Sequence, residues 1–390
     1  MRIGLDARNL MPRINGLGRH VYSTITHLAK VDDENEYIII KRPEYKSKIV
    51  DKENFREVSV PCDPSSLRNS LIGFQEINNL KLDIYHCLFH FLPGRIKAQR
   101  IIVTLHDLIW IDYPKLAFDD FFRQKIIEYY GKIFIKRALT KADTIVAISE
   151  HTKRHALSRY NLSDKDIHVI RNGVDIDYFN KIALSEIPEE YKKREFIFSI
   201  GHTKPYKNIP RLIQAFKLIS NEFPDIDLMV VGRGDYLVKL KNLVAGYGLE
   251  NRVIFTGHLP DEVMIPLFKN ALFLVFPSLI EGFGAPLIEA MALRCPILSS
   301  KIPVIEEICG DAYEKVNPYS VEDIARGMRK FLSFKDYRDY LRDKGYERAK
   351  LFSWQESAKK LLTLYKGNAQ FNREVSSQSL QIHPRHVIEQ

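Results

Sequence analysis

Glu281 and Glu289 bracket a glycine-rich turn, Phe276-Pro-Ser-Leu-Ile-Glu281-Gly282-Phe283-Gly284-Ala-Pro286-Leu287-Ile-Glu289. Gly282 and Gly284 let backbone approach a ligand with no side chain between them. Pro286 suits the first position of a helix, where its fixed φ is preorganised and its missing N–H costs nothing. The N–H groups and dipole at such a helix start attract an anion. A carboxylate is a poor phosphate ligand but a good acceptor for paired sugar hydroxyls. Anion, sugar and ribose together fit a sugar nucleotide. On these residues alone, two glutamates and two glycines that merely close a strand–helix unit fit equally well.

Such a turn needs a strand before it and a helix after it. Ala271-Leu-Phe-Leu-Val-Phe276 is a short continuous apolar run, the pattern of a buried strand. The same unit recurs along the chain. Strands are expected at Arg2–Asp6, Asn35–Ile40, Asp83–Leu88, Arg100–Leu105, Ala142–Ile148 and Ile167–Ile170. More follow at Glu195–Gly201, Leu228–Gly232, Arg252–Gly257 and Cys295–Ser300. Helices are expected across Val21–Leu28, Phe121–Thr140, Val321–Phe331 and Tyr337–Leu351. The capping-box pattern Ser353-Trp-Gln-Glu356 opens a last one, to about Tyr365. This alternation predicts an α/β protein built on parallel sheets, with ligands at the carboxyl ends of strands. The Asn172-Gly173 turn and the polar stretch Asp177–Arg194 mark the boundary between domains at 1–178 and 179–352. Residues 353–366 form the final helix and 367–390 a loosely ordered tail.

Other candidates stand at strand ends. Gly16 and Gly18 form a Gly-x-Gly loop before the first helix, which suits an anion or a bare turn. His106 and Asp107 follow the strand at Arg100–Leu105; His106 reads as a ligand contact or as a histidine satisfied by backbone. His202, Lys204 and Lys207 follow the strand at Glu195–Gly201 and read as a phosphate site or as solvated loop cations. Gly232 and Leu259 sit at two further strand–turn junctions.

Together these motifs resemble the retaining GT-B glycosyltransferases of the GT4 group. Glu281-Gly-Phe-Gly with Pro286, Glu289 and Ala290-Met-Ala resembles their E-x7-E element. Val103-Thr-Leu-His106-Asp107 resembles their His-Asp element, Ser149-Glu-His-Thr152-Lys153 their Ser-Glu-x-Thr-Lys element, and Lys207-Asn208 their Arg-Lys-Asn element. Gly-Leu-Asp-Ala-Arg near the start, with Gly16-x-Gly18-Arg19, is similar in style to bacterial mannosyltransferases of surface polysaccharide and lipopolysaccharide assembly. The resemblance implies two Rossmann-like domains facing each other across a cleft, an acceptor domain first and a donor domain second. It implies transfer of a hexose with retention, from GDP-mannose or alternatively a UDP-sugar, to a glycan or lipid-linked acceptor. It implies no metal and no cofactor. Lys207, with the helix at Pro286, would meet the diphosphate beside Gly16 and Gly18. Glu281 and the amides of Phe283 and Gly284 would hold the sugar, Glu289 the ribose, and Gly232, Leu259 and Leu287 would line the nucleotide. His106 would reach the reaction centre from the first domain. Two departures stand out: Asn15 replaces a glycine, and Tyr206 replaces an arginine. His202 or Lys204 would then supply the second cation. Without one, the chain would be a catalytically silent sugar-nucleotide-binding subunit.

Composition sets wider bounds. The chain has 390 residues, 45% of them hydrophobic, enough for two cores. Cys62, Cys87, Cys295 and Cys309 have no metal or redox spacing and fit buried thiols in a reduced cytoplasmic protein. The net charge of +9 fits an anionic partner, nucleic acid or membrane surface alike. With the resemblance added, the expectation is the inner membrane face rather than nucleic acid. The basic, aromatic helix at 121–140 is the candidate contact, unless one face packs and the lysines are solvated. No run reaches the roughly 20 apolar residues of a membrane span. The Asp175/Asp177 and Asp225/Asp227 pairs fit turns better than a metal.

Overall fold

The apolar runs become the middle strands of two sheets. The computed structural model describes residues 1–12, 16–117, 121–162, 167–192 and 195–367, without the side chains at 121 and 123. Asn15 and the tail beyond Gly367 therefore lie outside the described residues. The first sheet has the order β3-β2-β1-β4-β5-β6-β7. Its strands are β1 (Arg2–Asp6), β2 (Glu36–Lys41), β3 (Phe55–Ser59), β4 (Leu82–Cys87), β5 (Ala98–Leu105), β6 (Thr144–Ala147) and β7 (Ile167–Val169). The second has the order β10-β9-β8-β11-β12-β13. It comprises β8 (Glu195–Ile200), β9 (Ile226–Val231), β10 (Val253–Gly257), β11 (Leu274–Phe276), β12 (Ile297–Ser300) and β13 (Glu314–Val316). Neighbours throughout the second sheet run parallel.

Central strands are apolar on both faces because helices cover both. All six residues of β9 are buried, and Ile38, Ile39 and Ile40 of β2 are fully so. The helix Ile209–Ile219 shows how a cover is built. It turns Ile209, Leu212, Ile213, Ala215, Phe216 and Ile219 inward, the spacing of one helical stripe. Each large side chain of that stripe stabilises by about 1.5–3 kcal/mol relative to exposure.

The structure revises several expectations. β3, Phe-Arg-Glu-Val-Ser, buries only Phe55 and lies at the sheet edge, where charged residues are tolerated and apolar alternation fades. β13 is short and begins at Glu314, whose buried carboxylate is neutralised by Arg326 at 2.8 Å and Lys330 at 2.9 Å. Gly16 and Gly18 belong to the helix Gly16–Val31 itself rather than to a loop before it. Within the polar stretch at the expected boundary, Ile176–Ile182 is helical, and Asp175 caps it by accepting from Tyr178 N at 3.0 Å. Asp227 is likewise engaged, with Arg252 at 3.0 Å. All four cysteines are buried free thiols.

By compactness the chain divides into two units. One holds Met1–Thr104, Lys141–Val146 and the segment from Trp354; the other holds Leu105–Thr140 and Ala147–Ser353. In the first unit the last helix, Trp354–Lys366, is tied down by Trp354 against His20 and by the Tyr365 hydroxyl, 2.7 Å from His86 Nδ1.

In the same unit β1 and β4 adjoin where the chain reverses its direction of sheet growth, and a buried ion pair fills that place. Arg8 Nη2 lies 2.7 Å and Nε 2.9 Å from the two Asp6 oxygens, and the Tyr85 hydroxyl also donates to Asp6. The Arg8 guanidinium covers the Phe74 ring at 5.3 Å. Burial alone would raise the Asp6 carboxyl; the charge and hydrogen bonds of Arg8 overcome it and hold Asp6 below its usual range. Arg8→Ala leaves a buried carboxylate unpaired, and chemical denaturation should show a loss of about 3–5 kcal/mol. A loss under about 1 kcal/mol would mean that the pair does not hold the end of β1.

Candidate active site at a strand switch

After β8 the chain lays β9 and β10 to one side, then returns to place β11 on the other. The loops leaving β8 and β11 therefore part, and the crevice between them is where open α/β sheets bind ligands. The loop after β8 runs from Gly201 into a short turn, Pro205–Lys207, that ends at Asn208 in the left-handed region, φ 60°. The buried Asn208 amide donates to the Pro277 carbonyl at 3.0 Å and the Pro318 carbonyl at 2.7 Å. Leu279 N donates to the Tyr206 carbonyl at 2.8 Å. These bonds fix one loop to the other.

The result is an ion pair across the crevice, with Lys207 Nζ 2.5 Å from Glu281 Oε1. Both side chains are largely covered, 12% and 9% exposed. The ammonium also sits 4.5 Å from the Phe276 ring centre and 5.3 Å from that of Tyr206. A cation held by two aromatic faces and one carboxylate is weakly hydrated and ready for a stronger anion.

Past Glu281 the backbone is confined. A Cβ on Gly282 would lie 2.4 Å from the His106 carbonyl oxygen and 2.9 Å from Asp107 Cβ. The Gly282 carbonyl accepts from Ser149 Oγ at 2.8 Å and Thr152 Oγ1 at 3.2 Å. Thr152 Oγ1 also lies 3.3 Å from the His106 carbonyl. Ser149 is the N-cap of the helix Glu150–Tyr160, accepting from Thr152 N at 3.0 Å. So the Ser-Glu-x-Thr pattern and the His-Asp pattern both serve to seat the glycine turn. Gly284, at φ 86°, caps the helix Ala285–Ala292 in a conformation that favours glycine. Pro286 is thus the second residue of that helix rather than the first.

The electrostatics are uneven. Burial pushes the Asp107 carboxyl up to about 6, and nearby Glu281 adds to this. The Ile109 N–H, 3.0 Å away, and the charges of Lys207 and His155 oppose the rise. Tyr206 is raised too, by burial and then by Glu281 and Asp107. His202 is held below its usual range by burial and by Lys207, Lys204 and Arg233, although its Nδ1 lies 3.1 Å from the Arg233 carbonyl. This makes His202 less readily charged than a free imidazole. A cluster of Lys207, Lys204 and Arg233 beside hydroxyl-seeking Glu281 is suited to a diphosphate joined to a sugar.

Both halves of the chain match families of known proteins. The family described as Glycosyl transferases group 1 matches residues 180–348, and Glycosyltransferase Family 4 matches residues 14–178. The chain belongs to these glycosyltransferases. O-antigen chain mannosyltransferase RfbU of Salmonella typhimurium is 32% identical over 232 residues, 60% of each chain. Serotype-specific mannosyltransferase WbdA of Escherichia coli is 29% identical over 283 residues, 68% of this chain and 33% of WbdA. The matched region thus covers less than two thirds of either relative. Sucrose-phosphate synthase from Thermosynechococcus elongatus shares the fold, with a TM-score of 0.70 at 20% identity over 94% of this chain and 98% of that one. The fold is the GT-B arrangement of two Rossmann-like domains.

Within this glycosyltransferase the remaining candidates divide by place. Gly232 N donates to the Gly257 carbonyl at 2.9 Å, and Gly201 N to the Val231 carbonyl at 3.0 Å, so the ends of β8, β9 and β10 are laced together. Leu259 packs partly buried on the core beneath them. Phe283 and Leu287 belong to that core, while Glu289 is buried in the first turns of its helix. Gly16 and Gly18 lie in the other compact unit. His106 is in the unit that holds Glu281. Sequence reasoning gave no role to Arg233 or Phe276, and met Asp107 and Tyr206 only as part of the His-Asp element and as the replacement of an arginine. Arg233 carried a signal, a cation directly after a strand and between two glycines.

Asp107 gives a test. Its raised carboxyl means that stability it contributes below about pH 4 is lost as pH rises through about 6. Asp107→Asn removes that loss. The unfolding free energy of the variant relative to the parent should grow by on the order of 1–3 kcal/mol between pH 4 and 7. A pH-independent difference would refute the environment assigned to Asp107.

Proposed function

We propose that the chain transfers a hexose, mannose from GDP-mannose, to a hydroxyl of a glycan or lipid-linked acceptor with retention at the anomeric carbon. The observation that carries this is the Lys207–Glu281 pair at the β8/β11 switch. A diphosphate competes with Glu281 for Lys207, and the freed carboxylate then accepts from sugar hydroxyls. Glu289 takes the ribose, and the base lies near Gly232 and Leu259. The amides of Phe283 and Gly284 and the dipole of the following helix complete the cradle. His106, whose carbonyl abuts Gly282, meets the donor sugar in this reading.

In the reaction the anomeric C–O bond to the diphosphate breaks and a glycosidic C–O bond forms. Lys207, aided by the helix dipole, stabilises the charge that develops on the departing diphosphate. The acceptor oxygen approaches from the same face, and its proton passes to a phosphate oxygen of the leaving group. No residue must then act as a carboxylate nucleophile, and neither a metal ion nor a further cofactor takes part. The names of two relatives, an O-antigen chain mannosyltransferase and a serotype-specific mannosyltransferase, support mannose and a glycan acceptor. Nucleic acid is not a partner.

Lys207→Ala should lower turnover by on the order of 10²-fold, as loss of one transition-state donor does. An undiminished rate in the purified variant would sink the assignment of Lys207. The donor is settled by a thermal-shift screen over GDP, UDP and ADP sugars, since a ligand of the native state raises its stability. The largest shift should come with GDP-mannose. A larger shift with a UDP-sugar would replace the donor, and a shift without transfer to any acceptor would favour a silent binding subunit.

A further inference from the structure

Asp107 is the one residue from Ile102 to Ile109 that is not buried. It stands two residues past β5, against the glycine turn, where a Cβ on Gly282 would lie 2.9 Å from its own Cβ. Its Oδ1 accepts from Ile109 N at 3.0 Å, which orients the carboxylate. Among the described residues Oδ2 accepts no hydrogen bond. A half-buried carboxylate oriented through one oxygen has the other to offer to a ligand.

Its surroundings say which ligand group that is. The ionisable side chains whose charge reaches Asp107 are Lys207 and Tyr206 from the turn after β8, Glu281 from the loop after β11 and His155 from the helix Glu150–Tyr160. A carboxylate accepts hydrogen bonds and donates none, so Asp107 is no further ligand of a diphosphate. In the reading proposed above, Glu281 takes the donor sugar and Lys207 the departing diphosphate. Lys207 therefore marks the side on which the bond breaks. Transfer with retention brings the acceptor hydroxyl in on that same side, where it must lose a proton. Asp107 is the acceptor left over there.

We propose that Asp107 is a further catalytic residue, whose Oδ2 takes the proton of the attacking acceptor hydroxyl and hands it to the departing diphosphate. This rests on the transfer reading above and adds the path of the proton. The acceptor O–H bond breaks as an O–H bond forms on Asp107, while the anomeric C–O bond to the diphosphate breaks and the glycosidic C–O bond forms. The carboxylic acid then protonates a phosphate oxygen, which restores the carboxylate. A carboxyl raised to about 6 is a stronger base than an exposed one and is still mostly ionised at neutral pH.

The test follows GDP release from GDP-mannose by the purified full chain, with water as the attacking hydroxyl. Asp107→Asn should lower turnover by on the order of 10²-fold or more, while calorimetry should find GDP-mannose affinity within about twofold of the parent. Parent turnover should fall as pH drops below about 6, where Asp107 is protonated, and the residual turnover of the variant should not. Asp107→Ala should regain turnover with added formate, which a merely structural role does not allow. Parental turnover in Asp107→Asn would overturn the role of Asp107, as would a loss of donor affinity as large as the loss of turnover. A parent that binds GDP-mannose but releases no GDP would overturn the transfer reading itself, and the proton path with it.

Discussion

The contact between Lys207 and Glu281 is the constraint on which the second unit depends. Removing two charges from water is costly, and a covered pair regains that cost only with good geometry. Here the geometry comes from elsewhere: Asn208 ties the two loops, Gly282 fits under the His106 carbonyl, and two rings sandwich the ammonium. Such an arrangement is a poor way to gain stability and a good way to store a cation. It leaves Lys207 largely covered, beside two rings and oriented by a single carboxylate.

The other sheet offers an internal contrast. At its own switch, between β1 and β4, an ion pair also fills the strand ends, but Arg8 is 0% exposed and Asp6 answers it with both oxygens. That pair is sealed, although the buried Arg8 Nη1 has no hydrogen-bond partner. Lys207 uses one of several donors, and Glu281 keeps acceptor capacity to spare. The two pairs differ in access: the side chains of Arg8 and Asp6 are 0% and 2% exposed, those of Lys207 and Glu281 12% and 9%.

Much of this was legible in the sequence because buried parallel strands leave continuous apolar runs, and glycine, proline and capping residues punctuate them. Glu281, Gly282, Gly284 and Lys207 could each be placed at a strand end. Their pairing could not, because 74 residues separate Lys207 from Glu281 and sheet order is not written in local periodicity. β3 and β13 were hidden by charges that only tertiary partners explain, Glu314 above all. The helix at 121–141 was legible as a helix but not in orientation. With apolar residues on opposite sides, its sequence does not say which side is buried. Pro286 fell one residue from its expected place because Gly284, in the left-handed region, starts the helix at Ala285.

Exchange of Glu281 for a diphosphate is the central claim, and calorimetric titration of Glu281→Ala with GDP and with GDP-mannose tests it directly. The substitution releases Lys207 but removes the acceptor of sugar hydroxyls. GDP should bind the variant at least as tightly as the parent, while the additional affinity contributed by the mannosyl group should be lost. Weaker binding of GDP, with the mannosyl contribution intact, would contradict the exchange and the roles given to both residues.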